Sequence, residues 1–94
     1  MHILRIEHPV PNYEGWRMAF DADPLDRRGS GVRRHRIYRS TDDTSHVGID
    51  LEFASAAEAE AMLVRLRELW GRVQGKVMSD PRTQIIEIIE AIEY

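Results

Sequence analysis

The sequence predicts an α+β fold in which two helices cover one face of a four-stranded antiparallel sheet, in the order βαββαβ. Three observations support this prediction. The runs Val32–Arg39 and His46–Phe53 match each other as the two strands of a hairpin, and a helix signature that begins at Ser55 follows them directly. Alternating or isoleucine-rich segments near the two ends of the chain supply the other two strands.

The hairpin has one register in which apolar side chains share a face and opposite charges share the other. Opposite charges directly across a ladder stabilise it, and a slip by one residue would place arginines against aliphatic side chains. The four predicted cross-strand pairs are Ile37–Ile49, His35–Leu51, Arg36–Asp50 and Arg34–Glu52.

The first strand is predicted over His2–His8, where apolar and charged side chains alternate until prolines end the run. Asn12 is a favourable N-cap for the first helix, in which Tyr13, Trp16 and Phe20 fall on one face. A polar connection with one proline and two glycines then leads to the hairpin.

The second helix has the clearest start in the sequence. Ser55–Glu58 is a capping box, in which the serine and the glutamate are each expected to accept a hydrogen bond from a free backbone amide. Apolar residues then recur at helical spacing and predict a buried stripe. The stripe consists of Ala59, Met62, Leu63, Leu66, Leu69, Trp70 and Val73.

The segment Thr83–Tyr94 fits two structures. Four of its isoleucines fit a helical stripe, and Asp80-Pro81 could begin a helix. Five isoleucines in eight positions are instead typical of a strand, because β-branched side chains pack well on a pleated surface. We predict a strand and keep the helix as the alternative.

Together these elements give the ferredoxin-like arrangement. Apolar residues of the sheet are expected to face the helices: Leu4, Ile6, Ile37, Ile49, Leu51 and Phe53. The opposite face is expected to carry mainly charged residues: Arg5, Glu7, Arg34, Arg36, Tyr38, Asp50 and Glu52. Since the last strand is apolar on both sides, this second face is expected to be covered by another copy of the chain, related by a two-fold axis.

Length and composition limit the class of protein. The 94 residues suit one domain over 1–94, and 43% apolar with 31% charged residues is ordinary for a globular protein. A net charge of −3 gives no general attraction to nucleic acid or to anionic membranes, and the apolar runs are short. The absence of cysteine excludes disulfides and thiolate chemistry, and we expect a cytoplasmic protein.

The sequence resembles the dimeric α+β barrel superfamily, which includes antibiotic-biosynthesis monooxygenases, stress-responsive barrel proteins and uncharacterised small bacterial proteins. The resemblance implies a homodimer that pairs through the sheet face and the C-terminal strand. Haem-binding members carry a histidine on or beyond the second helix, and Glu58–Gln74 contains none, so no cofactor is expected. The resemblance rests on the order of His2–His8, the Tyr13–Phe20 helix, the Val32–Phe53 hairpin, Ser55–Trp70 and the segment from Thr83 onward.

Candidate ligand-binding residues are the aromatic side chains near the predicted helix–sheet interface. Trp16, Phe20 and Trp70, with His35 beside them, could line an apolar pocket or could simply form the core. His35 and Tyr38 are the candidates for catalysis, although a buried neutral imidazole is the plainer role for His35. The spacing of the four histidines predicts no metal site, because strand-end histidines are commonly solvated.

The charged face also has two interpretations. Its arginines could bind an anionic ligand inside a barrel, or they could form an ion-paired network at a dimer interface, which the alternation of sign favours. Six arginines between Arg27 and Arg39 raise the question of RNA binding. The first and third strands lack the exposed aromatic residues on which RNA-recognition domains stack bases, so nucleic acid is not expected as a partner.

Three functions are consistent with the sequence. The first is an uncharacterised dimeric barrel protein that at most binds a small apolar or aromatic ligand between sheet and helices. The alternative is a cofactor-independent monooxygenase or isomerase acting on an aromatic or polycyclic substrate, which rests on analogy of fold. The third is a module that only self-associates or docks to another protein.

Overall fold

The computed structural model describes residues 1–73 and 81–94 and confirms the βαββαβ order. The four strands form one antiparallel sheet in the order β2-β3-β1-β4, with both helices on one face, which is the ferredoxin-like fold. The elements are β1 His2–Pro9, α1 Tyr13–Asp21, β2 Arg34–Tyr38, β3 His46–Phe53, α2 Ala56–Val73 and β4 Arg82–Glu87.

The predicted hairpin register is confirmed at all four cross-strand pairs. The central strand β1 pairs with β3 and β4, and it places Leu4 opposite Leu51 on one side and opposite Ile85 on the other. Because side chains alternate along each strand, these pairs gather the apolar residues on the helix-facing side.

Both helices begin as the sequence predicts. The Asn12 side-chain oxygen accepts a hydrogen bond from the Gly15 amide at 3.1 Å. The Ser55 hydroxyl accepts one from the Glu58 amide at 3.3 Å, and the same hydroxyl donates to the Glu58 carboxylate at 3.1 Å. The glutamate of the capping box therefore binds the serine hydroxyl rather than a free amide.

The core lies between the sheet and the helices, as expected. Leu4, Phe53 and Met62 are almost fully buried at its centre, and Trp16 and Trp70 close it. The predicted α2 stripe is confirmed over its described side chains, which are buried or half-buried.

The strand prediction for Thr83–Tyr94 is confirmed for its first half only. β4 ends at Glu87, which pairs with His2, the first residue of β1. The Ile88 amide still donates to the Met1 carbonyl at 2.9 Å, and the pairing of β4 with β1 ends there. Ile88–Tyr94 is neither strand nor helix, and the Ile89 side chain is 91% exposed. The helix start considered at Asp80 lies outside the described residues.

The two described helices include no segment long and apolar enough to cross a membrane.

Candidate functional site

A cavity of about 310 Å³ lies between α1, the connection that follows it, the sheet and α2. It brings together three of the predicted ligand-binding residues, Trp16, Phe20 and Trp70. The remaining wall is almost entirely apolar: Ile6, Ala19, Ala22, Pro24, Leu25, Ile49, Leu51, Met62, Leu66 and Leu69, with Asp23 and Arg27 as its charged members.

The cavity lies beside α1, the helix whose backbone does not approach the sheet closely. α2 packs closely on β1, β3 and β4, whereas α1 makes no comparably close backbone approach to a described strand. Large side chains bridge the space under α1. The rings of Trp16 and Phe20 stack with centroids 5.3 Å apart, and the volume that they leave unfilled is the cavity.

Arg27 forms the charged edge of this cavity. Its guanidinium carbon lies 3.8 Å from the centroid of the Phe20 ring, which is a cation–π contact. Its Nη1 donates to the Phe20 carbonyl at 2.7 Å and lies 3.4 Å from Asp23. The Arg27 guanidinium therefore stacks on the Phe20 ring, and the residue is itself part of the cavity wall.

The connection between α1 and β2 is built to hold this edge in place. Asp23 and Asp26 have φ of 52° and 51°, in the left-handed region that aspartate tolerates better than most residues. The Asp23 carboxylate accepts from the Arg27 amide at 2.9 Å. From α2, Arg65 donates to the Leu25 carbonyl at 3.0 Å and to the Ser30 hydroxyl at 2.8 Å, which ties the connection to the helix.

His35 is not the buried imidazole that the sequence predicts. It is exposed, because β2 is an edge strand that α2 does not reach. Its ring meets the edge of Phe20 with centroids 5.2 Å apart, so it lies outside the cavity wall. Partial burial, with the charges of Arg27 and Arg17, lowers the pKa of His35 and keeps its imidazole neutral at neutral pH.

Tyr38 lies on the opposite face of the sheet, so the two candidate catalytic residues do not share a site. Its hydroxyl donates to Asp50 at 2.8 Å, and Arg5 donates to both oxygens of the same carboxylate at 3.0 Å. Burial and the hydrogen bond to Asp50 raise the pKa of Tyr38 to about 12. Burial would raise the pKa of Asp50, but the hydrogen bonds from Arg5 and Tyr38 outweigh it and hold that pKa below its ordinary value.

One predicted ion pair of the charged face is wrong. The sequence places Asp50 across from Arg36, and the register agrees, but the ion pair of Asp50 is with Arg5 on β1. The predicted pair of Arg34 with Glu52 does form, at 3.0 Å. Most of the described residues of this face therefore form an ion-paired network.

Gly48 is a structural residue of this network that the sequence analysis missed. A Cβ built on Gly48 would overlap the Tyr38 ring, which lies against its backbone. Only glycine at this position lets the tyrosine lie flat and reach Asp50. The available signal was a glycine inside a strand, which often marks a close approach by another group.

His8 is the clearest error in the sequence analysis, which expected a solvated strand end. The side chain is buried, with 1% exposure, and its ring lies 5.8 Å from that of Trp16. Nδ1 contacts the Pro9 carbonyl at 3.1 Å, and Nε2 has no hydrogen-bond partner in the described structure. The signal was the alternation itself, which puts His8 on the helix-facing side after Leu4 and Ile6.

The other histidines stay apart from the cavity. His2 lies 3.7 Å from Glu87, and His46 contacts Asp43 at 3.0 Å in the exposed hairpin loop. Over residues 1–73 and 81–94, no group of three or more histidine or carboxylate side chains could hold a metal ion.

Comparison with solved structures supports the fold. SnoaB, a cofactor-independent oxygenase from Streptomyces nogalater solved as a point mutant, superposes with a TM-score of 0.77 at 10% identity, covering 99% of this chain and 97% of that one. A protein of unknown function from Nitrosomonas europaea gives 0.69 at 19% identity, with 99% and 93% covered. A dimeric ferredoxin-like protein from an uncultured marine organism gives 0.65 at 13% identity, with 97% of each chain covered.

No protein-family model and no curated protein matches the sequence. At these identities the structural likenesses confirm the ferredoxin-like fold that the sequence predicts.

Proposed function

We propose that the protein is a homodimeric small-molecule-binding protein that holds an apolar or aromatic ligand in the cavity between sheet and helices. The observation that carries this proposal is the cavity of about 310 Å³ with an almost wholly apolar wall. Ligand pockets begin near this size, and an apolar cavity of about 150 Å³ is enough to bind benzene. The cavity therefore suits a molecule of about two fused aromatic rings.

The homodimer is supported by the charged face of the sheet and by the end of the chain. On the face away from the helices, Arg36 and Glu7 have no ion-pair partner among the described residues, so each is available to an opposite charge on a second copy. The tail beyond Glu87 carries the exposed apolar residues Ile89 and Ile92, which a partner subunit could cover. The marine structure with this fold is described as dimeric.

Tryptophan fluorescence and calorimetry test the binding. Both tryptophans of the chain line the cavity, so a bound aromatic molecule should change their emission. We expect 2-naphthamide, a neutral two-ring amide, to bind saturably with one site per chain. Ala19→Phe, at the cavity wall, should weaken binding, whereas Met18→Phe, on the adjacent exposed position, should not. Unchanged binding in Ala19→Phe would place the ligand elsewhere.

A second candidate is a cofactor-independent monooxygenase or isomerase acting on an aromatic or polycyclic substrate. The observation that favours it is His35, a neutral imidazole in contact with the Phe20 ring of the cavity wall. If the protein consumes oxygen or isomerises an aromatic substrate, His35→Ala should abolish turnover without abolishing binding. If this variant turned over the substrate as fast as the wild type, His35 would not be a catalytic residue.

The single domain over 1–94 and the cytoplasmic location expected from the sequence remain predictions of the same proposal.

A further inference from the structure

The cavity has one polarised end. Its wall is apolar except for Asp23 and Arg27, and both lie in the connection between α1 and β2. A purely apolar ligand would leave this end with nothing to bind. A ligand that fills the cavity would therefore need a polar or charged group next to Asp23 and Arg27.

The guanidinium of Arg27 is only partly satisfied by its own chain. Nη1 contacts the Phe20 carbonyl and Asp23, while Nε and Nη2 have no acceptor among the described residues. The Arg27 side chain is 21% exposed, so most of its surface is packed against the protein. A guanidinium has five donors in a planar fork that matches a carboxylate.

The neighbouring carboxylates neutralise Arg27 only in part. Asp23 lies 3.4 Å from Nη1, but the same oxygen also accepts the Arg27 backbone amide and so serves the turn as well. Asp21 is paired with Arg17 at 3.2 Å on the solvent side of the helix. Partial burial is the largest cause of the lowered pKa of His35, and the charges of Arg27 and Arg17 add to it while those of Asp21 and Asp23 oppose it.

We infer that the cavity binds an aromatic molecule that ends in a carboxylate, with the rings in the apolar wall and the carboxylate on the free donors of Arg27. This inference rests on the proposed function, because it needs the cavity to hold a ligand. The ring system would lie against Trp16 and Trp70, and the acid group would leave the cavity beside Phe20.

A matched pair of ligands tests the inference. 2-Naphthoate and 2-naphthamide have almost the same size and shape, and they differ in charge. By calorimetry at low salt, we expect naphthoate to bind at least about tenfold more tightly, since hydrogen bonds to charged groups are the stronger kind. Arg27→Gln should remove the preference, and Arg17→Gln, which changes a cation over the same ring at 5.6 Å, should keep it.

Asp23→Asn provides a second variant whose effect has the opposite sign. Asparagine tolerates the left-handed backbone and can still accept the Arg27 amide, so the turn should persist. Loss of the competing charge should tighten naphthoate binding several-fold and leave naphthamide binding unchanged. Asp26→Asn is the matched control, because Asp26 has the same φ region in the same connection but does not line the cavity.

The outcomes separate the inference from the proposed function. Equal affinity for the two ligands, or no gain in Asp23→Asn, would overturn the inference while the apolar pocket stands. Binding of neither ligand would overturn the proposed function and the inference with it. If Arg27→Gln fails to fold, the Asp23→Asn result alone decides.

Discussion

His8 shows what burial does to one titratable residue. Its Nδ1 faces a carbonyl, which can only accept, so Nδ1 carries a proton and Nε2, which has no partner among the described residues, is the nitrogen that titrates. Burial, as the largest cause, lowers its pKa in the folded state below the ordinary 6.5. The unfolded chain therefore binds more protons than the folded chain below about pH 6.5.

We predict that the protein loses stability as the pH falls from about 7.5 to about 5.5, a window that spans the pKa of His8 in the unfolded chain. The stability that depends on neutral His8 is fully present above the pKa of the unfolded chain and declines as the pH falls below it. His8→Phe should flatten this dependence, whereas His46→Phe, in the exposed loop, should not. Urea unfolding at fixed protein concentration measures both. An equal pH slope in wild type and His8→Phe would contradict the assignment.

A second prediction concerns the effect of Gly48 on the free energy of unfolding. Gly48→Ala should destabilise the protein by about 1–3 kcal/mol, because the added methyl group displaces the Tyr38 ring from Asp50. Gly71→Ala is the matched control. A Cβ at Gly71, in helix α2, meets nothing within 4 Å, so this change should stabilise by up to about 1 kcal/mol. Equal denaturation midpoints for the two variants would refute the close-packing account.

Among the secondary-structure elements, short sequence patterns were sufficient to predict features that depend on neighbouring residues. The hairpin register follows from charges on two adjacent runs, and the starts of both helices follow from caps at Asn12 and Ser55. The partner of Asp50 could not be read in this way, because Arg5 lies on β1 and is 45 residues away in sequence. The choice between Arg36 and Arg5 depends on where β1 lies in the sheet.

The cavity was predictable only in part for a similar reason. Helical spacing identified Trp16, Phe20 and Trp70 as an aromatic group, which the structure gathers on one cavity. The distance of α1 from the sheet and the left-handed turns at Asp23 and Asp26 have no such pattern. The contribution of Arg27 to the wall therefore emerged only from the structure.

The end of β4 carries a prediction about assembly. The ladder stops where β1 begins, and the following apolar residues are exposed in the single chain. We expect Ile89→Asp to weaken the homodimer, because it places a charge in the exposed apolar tail that we propose the partner covers. Val64→Asp, which alters an exposed apolar residue of α2, is the control. Sedimentation equilibrium at micromolar concentration should show more monomer for Ile89→Asp alone, and an unchanged dimer would contradict this assignment of the tail.

In the molecule as a whole, the two faces of the sheet carry different features. The helix-facing side supplies the core and the cavity, and the other side supplies the Arg5–Asp50–Tyr38 network and the surface that we propose a second subunit covers. Since His35 and Tyr38 lie on opposite faces, substitutions at Tyr38 should affect assembly and stability but leave the cavity intact.

Entry of an aromatic ligand into the cavity can be followed by the two tryptophan indole N–H signals in a ¹H–¹⁵N NMR titration. Trp16 and Trp70 lie on different elements but line the same cavity. We expect both signals to shift with added 2-naphthamide along one saturation curve with a single dissociation constant. Two unmoved indole signals at millimolar ligand would contradict this expectation.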